Sequence, residues 1–274
     1  MKYKAVAFDM DGTLLGSNRL VLPETVDMIK KISDKGIKVI LVSGRHHTAI
    51  YPYYYQLKLS TPAICCNGTY LYDFEKQQSF AAKPMTKQQA HTLLNLVNQH
   101  GIHTLIYTDK FMTYEVLDDH LAGFFQWIKS LPEFLQPEVK KVDDFEKLIE
   151  QADLIFKFAT SSHDIPALKQ FSKAVDALDE FSCEWSWSNR ADVAVKGNTK
   201  GNGLKHWAEH ENIKLSEIVA FGDSFNDISM LTIAGLGIAM GNAEKEVKEK
   251  ASYSIGDNNS PSIAAELELS LIHI

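Results

Sequence analysis

Apolar residues come in short unbroken runs at 5–8, 39–42, 63–66, 218–221 and 237–240. A strand that is apolar on both sides is one covered on both faces, so these runs predict the buried strands of a parallel sheet. Helical patterns separate them. Pro23 suits a first helical position, Val26, Ile29 and Ile32 share a face, and Gly36 suits the stop. A further helix at about 203–210 puts Leu204, Trp207 and Ala208 together. Strands and helices in alternation predict an α/β fold with a Rossmann-like, doubly wound core.

Between 84 and 189 the pattern changes. Thr86 with Gln89 forms a capping box for a helix carrying Ala90, Leu93, Leu94 and Val97, which ends near Gly101. Strand patterns at 102–107 and 111–116 flank Thr108-Asp109-Lys110, a hairpin signal. An amphipathic segment at 121–128, a polar loop, a helix near 145–149, a strand at 154–158, a helix near 165–174 and an aromatic strand at 181–187 follow. Hairpins mixed with helices predict an α+β cap inserted into a core made of residues 1–83 and 190–274.

Composition narrows the class of function. A formal charge of −7 argues against nucleic-acid partners and anionic membrane surfaces, but leaves small anionic substrates open because a metal can invert a local field. Adjacent Cys65 and Cys66 with Cys183 give no disulfide framework, so a reducing cytoplasm fits best. No run reaches the length of a membrane span, and no apolar signal core precedes Asp9.

The chemistry concentrates where the apolar runs end. Asp9 and Asp11, two apart on an extended backbone, project to one side, and Gly12 then lets the chain turn. Two carboxylates that close repel unless a cation or proton lies between them, which predicts Mg²⁺ and acid–base chemistry. Ser43-Gly44-Arg45 follows the second run, offering a hydroxyl and backbone N–H groups to a phosphate. Gly222-Asp223-Ser224-Phe225-Asn226-Asp227 follows the fourth and offers oxygen ligands to a hard cation, although Asp227 also suits a helix N-cap. Lys200 stands at a helix start, where a nearby anion would offset its charge, and Lys196 is its rival.

In this order, Asp9-x-Asp11-Gly12-Thr13, Ser43, Lys200 and Gly222-Asp223-x-x-Asn226-Asp227 resemble the four motifs of the haloacid dehalogenase-like superfamily. Asn67-Gly68 and 239–243 resemble accessory signatures of its Cof-type phosphatases. Gly44-Arg45-His46-His47, the segment 61–73 and Cys183-Glu184-Trp185-Ser186-Trp187 are similar to the bacterial pyridoxal-phosphate phosphatases of that group. The resemblance implies Asp9 as nucleophile, forming an aspartyl-phosphate, with Asp11 as acid and then base. It further implies Mg²⁺ on Asp9, the Asp11 carbonyl and Asp223. Lys200, Ser43, Asn226 and the N–H groups of Met10 and Gly44 would face the phosphoryl group, with Asp227 in support.

The long insertion lies between Ser43 and Lys200, which matches a Cof-type cap and disfavours phosphomutases and dehalogenases. Pyridoxal 5′-phosphate is the favoured substrate, followed by sugar phosphates. Trp127, Trp185 and Trp187 are candidates for stacking on a flat ring, as are His46, His47 and 53–55 for approaching the site. A phosphoryl-accepting receiver or a silent binding protein is the alternative class. Oligomeric state is not readable.

Overall fold

The computed structural model describes residues 2–272. Five strands, β1 (Ala5–Asp9), β2 (Lys38–Val42), β3 (Ala63–Cys65), β4 (Tyr70–Asp73) and β5 (Gln78–Phe80), precede the insertion. Six more follow: β6 (His103–Thr108), β7 (Met112–Tyr114), β8 (Val139–Lys141), β9 (Ile155–Ser161), β10 (Phe181–Trp187) and β11 (Arg190–Val195). Three return to the core, β12 (Ile218–Gly222), β13 (Leu236–Ala239) and β14 (Tyr253–Ser254).

The core sheet has the order β14-β13-β12-β1-β2-β3-β4-β5. It is parallel from β14 to β3, and an antiparallel extension, β4 and β5, closes one edge. The continuous apolar runs are explained by the two faces of β1. Val6 and Phe8 pack with Val219 and Phe221 on one side, while Ala5 and Ala7 pack with Ile218 and Ala220 on the other. Helix α1 (Pro23–Asp34) covers the first face with Met28, Ile29 and Ile32. Residues Leu204 and Trp207, which share the face expected of them, cover the second. At about 1.5–3 kcal/mol for each large side chain fully buried, the two layers hold the sheet between them. The order reverses at β1, which has β2 on one side and β12 on the other. In such sheets ligands collect in the crevice at the carboxyl ends beside that reversal, where Asp9 stands.

The insertion forms a separate sheet, β10-β11-β9-β6-β7-β8, antiparallel except between β7 and β8. Two of its helices pack on one face: the Thr86-capped helix α2 (Lys87–His100), whose C-terminal Gly101 is left-handed at φ 62°, and α3 (Ile165–Ala177). The sheet also takes in Arg190–Val195, so the expected boundary after residue 189 falls inside the β10–β11 hairpin. Arg190 and Asp192 alternate with Ala191, Val193 and Val195, which is the pattern of a half-buried strand, and 188–189 are its turn. Among the described residues, no helix is long and apolar enough to cross a membrane.

Candidate active site

Asp9 is the last residue of β1, and β12 delivers Asp223 and Asp227 beside it. Carboxylate oxygens of Asp9, Asp223 and Asp227 all lie within 4.8 Å of one another. Lys200 is buried between them, its Nζ 2.5 Å from Asp9 Oδ1 and 2.6 Å from Asp227 Oδ1. Lys196, the other candidate, pairs with Asp179 at the surface.

Each carboxylate has a distinct environment. Burial, then the Asp227 charge, pushes the Asp9 pKa well above the ordinary value, against the pull of Lys200. Burial and Asp227 likewise push Asp223 up to about 6. Asp223 Oδ1 accepts a 2.6 Å hydrogen bond from the Thr13 hydroxyl, and Ser224 donates to Oδ2. Asp227 is fully engaged: Oδ1 takes Lys200 and Oδ2 accepts from the N–H groups of Asp223 and Ser224. It therefore braces the loop, and the capping bond to the helix after it is not made. Burial opposes the charge on Lys200, but Asp227 and Asp9 outweigh it and raise the pKa. Three carboxylates against one ammonium leave a surplus of negative charge in a dry site. A hard divalent cation with oxygen ligands fits that donor set.

Asp11 turns to the mouth of the site. Arg45 grips it bidentately, Nε to Oδ2 at 2.7 Å and Nη2 to Oδ1 at 2.6 Å. Desolvation opposes ionisation of Asp11, yet Arg45 prevails and holds its pKa below the usual carboxylate range. The guanidinium lies 5.3 Å from the ring centroids of both Tyr53 and Trp127, which fix its plane. Gly12 makes the turn possible: its φ is +89°, and a side chain there would overlap the Asp223 carboxylate. Asn242 donates to the Gly12 carbonyl at 2.8 Å and so ties the 239–243 segment to this turn.

Ser43 is buried at the end of β2, where its hydroxyl accepts from the Arg45 N–H at 3.2 Å. Among the described residues, the Gly44 N–H meets no protein acceptor. Met10 is buried in the core, with its carbonyl accepting from Leu15 at 2.9 Å. Asn226 gives its amide N–H to Asn67, and its Oδ1 is buried without a partner among the described residues. Asn67 in turn donates to Asp192 of β11 at 3.3 Å.

Several residues at this site carried no clear signal in the sequence. Lys157 of β9 is buried, donating to the Gly44 carbonyl at 2.6 Å and pairing with Asp192 at 2.9 Å. It thus ties the inserted sheet to the loop after β2. Its alternation with Phe156 and Phe158 was the only hint, since a lysine inside an apolar strand needs a partner. Arg45 lies in the Gly44-Arg45-His46-His47 segment, and its grip on Asp11 comes from the fold.

The aromatic candidates sort differently from expectation. Trp185 faces the cap helices, where its indole N–H donates to Ser172 at 3.3 Å, so it does not line the site. Trp127 stacks on Tyr53 and reaches the site only through Arg45. His47 stacks on Tyr72 at 3.7 Å, and His46 Nε2 lies 2.9 Å from the Thr108 carbonyl of the inserted sheet. Both histidines are buried and stay neutral, with burial lowering their pKa to about 4 for His46 and about 2 for His47.

Residues 6–267 match the profile of the haloacid dehalogenase-like hydrolases. The chain is 42% identical to the pyridoxal phosphate phosphatase YbhA of Escherichia coli over 96% of this chain and 97% of that one. It is 29% identical to an HMP-PP phosphatase of Serratia proteamaculans, over 90% and 86% of the two chains. A solved haloacid dehalogenase-like hydrolase from B. subtilis superposes with a TM-score of 0.87 at 24% identity, covering 98% and 100%.

Proposed function

Because the chain belongs to the haloacid dehalogenase-like hydrolase family and is a phosphatase, we propose that it hydrolyses small phosphate monoesters through an aspartyl-phosphate on Asp9, with pyridoxal 5′-phosphate as the favoured substrate. The observation that carries this reading is the buried Lys200, held between Asp9 and Asp227 at the switch point of the sheet. Lys200 donates to Asp9 Oδ1 and keeps the nucleophile in place at the end of β1. The preference for pyridoxal phosphate rests on the likeness to the Escherichia coli enzyme over nearly the whole chain. The similarity to an HMP-PP phosphatase keeps other esters open, sugar phosphates among them.

Mg²⁺ would be held by Asp9, the Asp11 carbonyl and Asp223, and when bound it supplies positive charge to the phosphoryl oxygens. The chain's own donors for those oxygens are Lys200, the Ser43 hydroxyl and the N–H groups of Met10 and Gly44, with Asn226 beside them. Asp227 keeps Lys200 and the metal loop in place. Asp11 starts as a carboxylate gripped by Arg45. That is the state required to deprotonate the hydrolytic water. To protonate the leaving oxygen first, it must be released from Arg45 and take up a proton from solvent, and an arriving phosphate competes for the same guanidinium. The second sheet, taken through Val195, acts as the cap that excludes water.

A Mg²⁺ assay over a panel of phosphate esters, with Asp9→Asn and Asp11→Asn as controls, tests the reading. Phosphate release abolished by Asp9→Asn, with beryllium fluoride or radiolabel captured on Asp9, is the expected result. Label on another residue, or turnover that survives Asp9→Asn, refutes it.

A further inference from the structure

Glu184 is a further acid over the site, half-buried as a residue, and none of the chemistry above uses it. In the antiparallel pair of β10 and β11, Glu184 stands directly opposite Asp192. Opposed residues in such a pair share a face. Asp192 bonds Lys157 and Asn67, so this face looks onto the phosphoryl site, while Trp185, one residue on, looks away. Strand β10 also packs against the core turn Phe225–Asp227. The charged groups that act on Glu184 are Lys200, Asp192, Asp227 and Lys157, all of them at the seam between the two sheets.

Yet Glu184 Oε2 is buried with no hydrogen-bond partner among the described residues, and so is Asn226 Oδ1 on the core side of the seam. Burying a polar atom without a partner is costly, and in native proteins such atoms point to something absent from the chain itself. Both orphans are acceptors. A phosphate dianion brings only acceptors, so it satisfies neither the Asn226 oxygen nor an ionised Glu184. The missing partner is a donor, carried by the part of the substrate that is not phosphate.

We propose that Glu184 is the residue by which the cap selects the leaving group, accepting a hydrogen bond from an N–H donor on it, such as the protonated ring nitrogen of a pyridine. This rests on the phosphatase reading and adds to it the group that is read. A carboxyl in a dry pocket binds a cationic N–H far better than a C–H of the same shape, because the C–H leaves the acceptor unpaired. Burial pushes the Glu184 pKa up to about 8, and a cationic N–H beside it would bring that value down and favour the carboxylate.

The test compares pyridoxal 5′-phosphate with phenyl phosphate, which has no ring donor, in wild type, Glu184→Gln and Glu184→Leu. Loss of the ionic hydrogen bond is expected to lower kcat/KM for pyridoxal phosphate roughly 10- to 100-fold more than for phenyl phosphate. Pyridoxine, with the same ring and no phosphate, should raise the thermal midpoint of wild type and fail to do so in Glu184→Leu. Loss of activity in equal proportion on both esters, or a selectivity change below about threefold, overturns the assignment and leaves the phosphatase reading standing. Wild type inert toward both esters, with no label on Asp9, removes the phosphatase reading and this inference with it.

Discussion

Replacing Lys200 by methionine keeps the length of the side chain and removes its charge. In the native site that charge lies 2.5 Å from Asp9 and 2.6 Å from Asp227, and all three side chains are at least nine-tenths buried. Without it, three carboxylates share one dry pocket with no cation from the protein. Breaking a buried ion pair on one side costs about 3–5 kcal/mol, because the remaining charge is left uncompensated. For a chain of this size that corresponds to a fall in thermal midpoint of roughly 5–9 °C. Protonation of Asp9, whose pKa is already raised, absorbs part of the cost and takes the nucleophile out of action. Activity should drop at least about 100-fold, the typical loss of one charge-stabilising donor. Differential scanning calorimetry with and without Mg²⁺ reads the stability, and phosphate release reads the turnover. Mg²⁺ should restore more stability to the variant than to wild type, and adding Asp227→Asn should recover part of the loss. Lys196→Met, at the surface, should change stability by no more than about 0.5 kcal/mol. A Lys200→Met protein that melts within about 2 °C of wild type and keeps its activity would refute the electrostatic argument.

Other expectations follow from single contacts. Arg45→Ala frees Asp11 and unstacks Tyr53 and Trp127; kcat/KM should fall roughly 10- to 100-fold while stability drops by only about 1 kcal/mol, as read by steady-state kinetics and urea unfolding. Lys157→Met leaves Asp192 buried without its cation at the seam, so it should cost about 3 kcal/mol, and a compensating Asp192→Asn should recover most of that. An equal loss in the single and double variants would dismiss that account. Burial keeps His46 neutral in the fold, with a pKa lowered to about 4, and its Nδ1 needs the neutral ring to accept from the Thr48 N–H. The unfolded chain therefore takes up this proton first as pH falls below about 6.5, and stability is complete above that value. It should decline by up to about 3 kcal/mol toward pH 4. His46→Gln should flatten that slope in urea titrations at successive pH values, and an unaltered slope would assign the acid sensitivity elsewhere.

Periodicity along the chain settled the architecture where each segment carries its own pattern. The apolar runs of β1, β2 and β12 could only be strands covered on both faces, and Thr86 with Gln89 and Gly101 marked both ends of α2. The strand at 181–187 was legible to its ends. Short strands with little pattern of their own, such as β5 and β8, were not legible, because they are held by their neighbours and not by their composition. The end of the cap was missed for a related reason, since a two-residue turn looks the same whether it leaves a domain or folds back on it.

The candidate site divides along the same line. Spacing alone put Asp9 and Asp11 on one side of a strand end, and order along the chain named Lys200 and the Asp223–Asp227 loop. Which lysine reaches Asp9, that Arg45 holds Asp11, and that Lys157, Asp192 and Glu184 bring the cap's charges over the core are products of tertiary contact. These pairs join residues dozens to nearly two hundred positions apart. Their energies depend on burial and distance, which a linear pattern does not contain. Local sequence determines which backbone a segment adopts and which groups it carries; only the packed fold, by excluding water, decides which of those groups must satisfy one another.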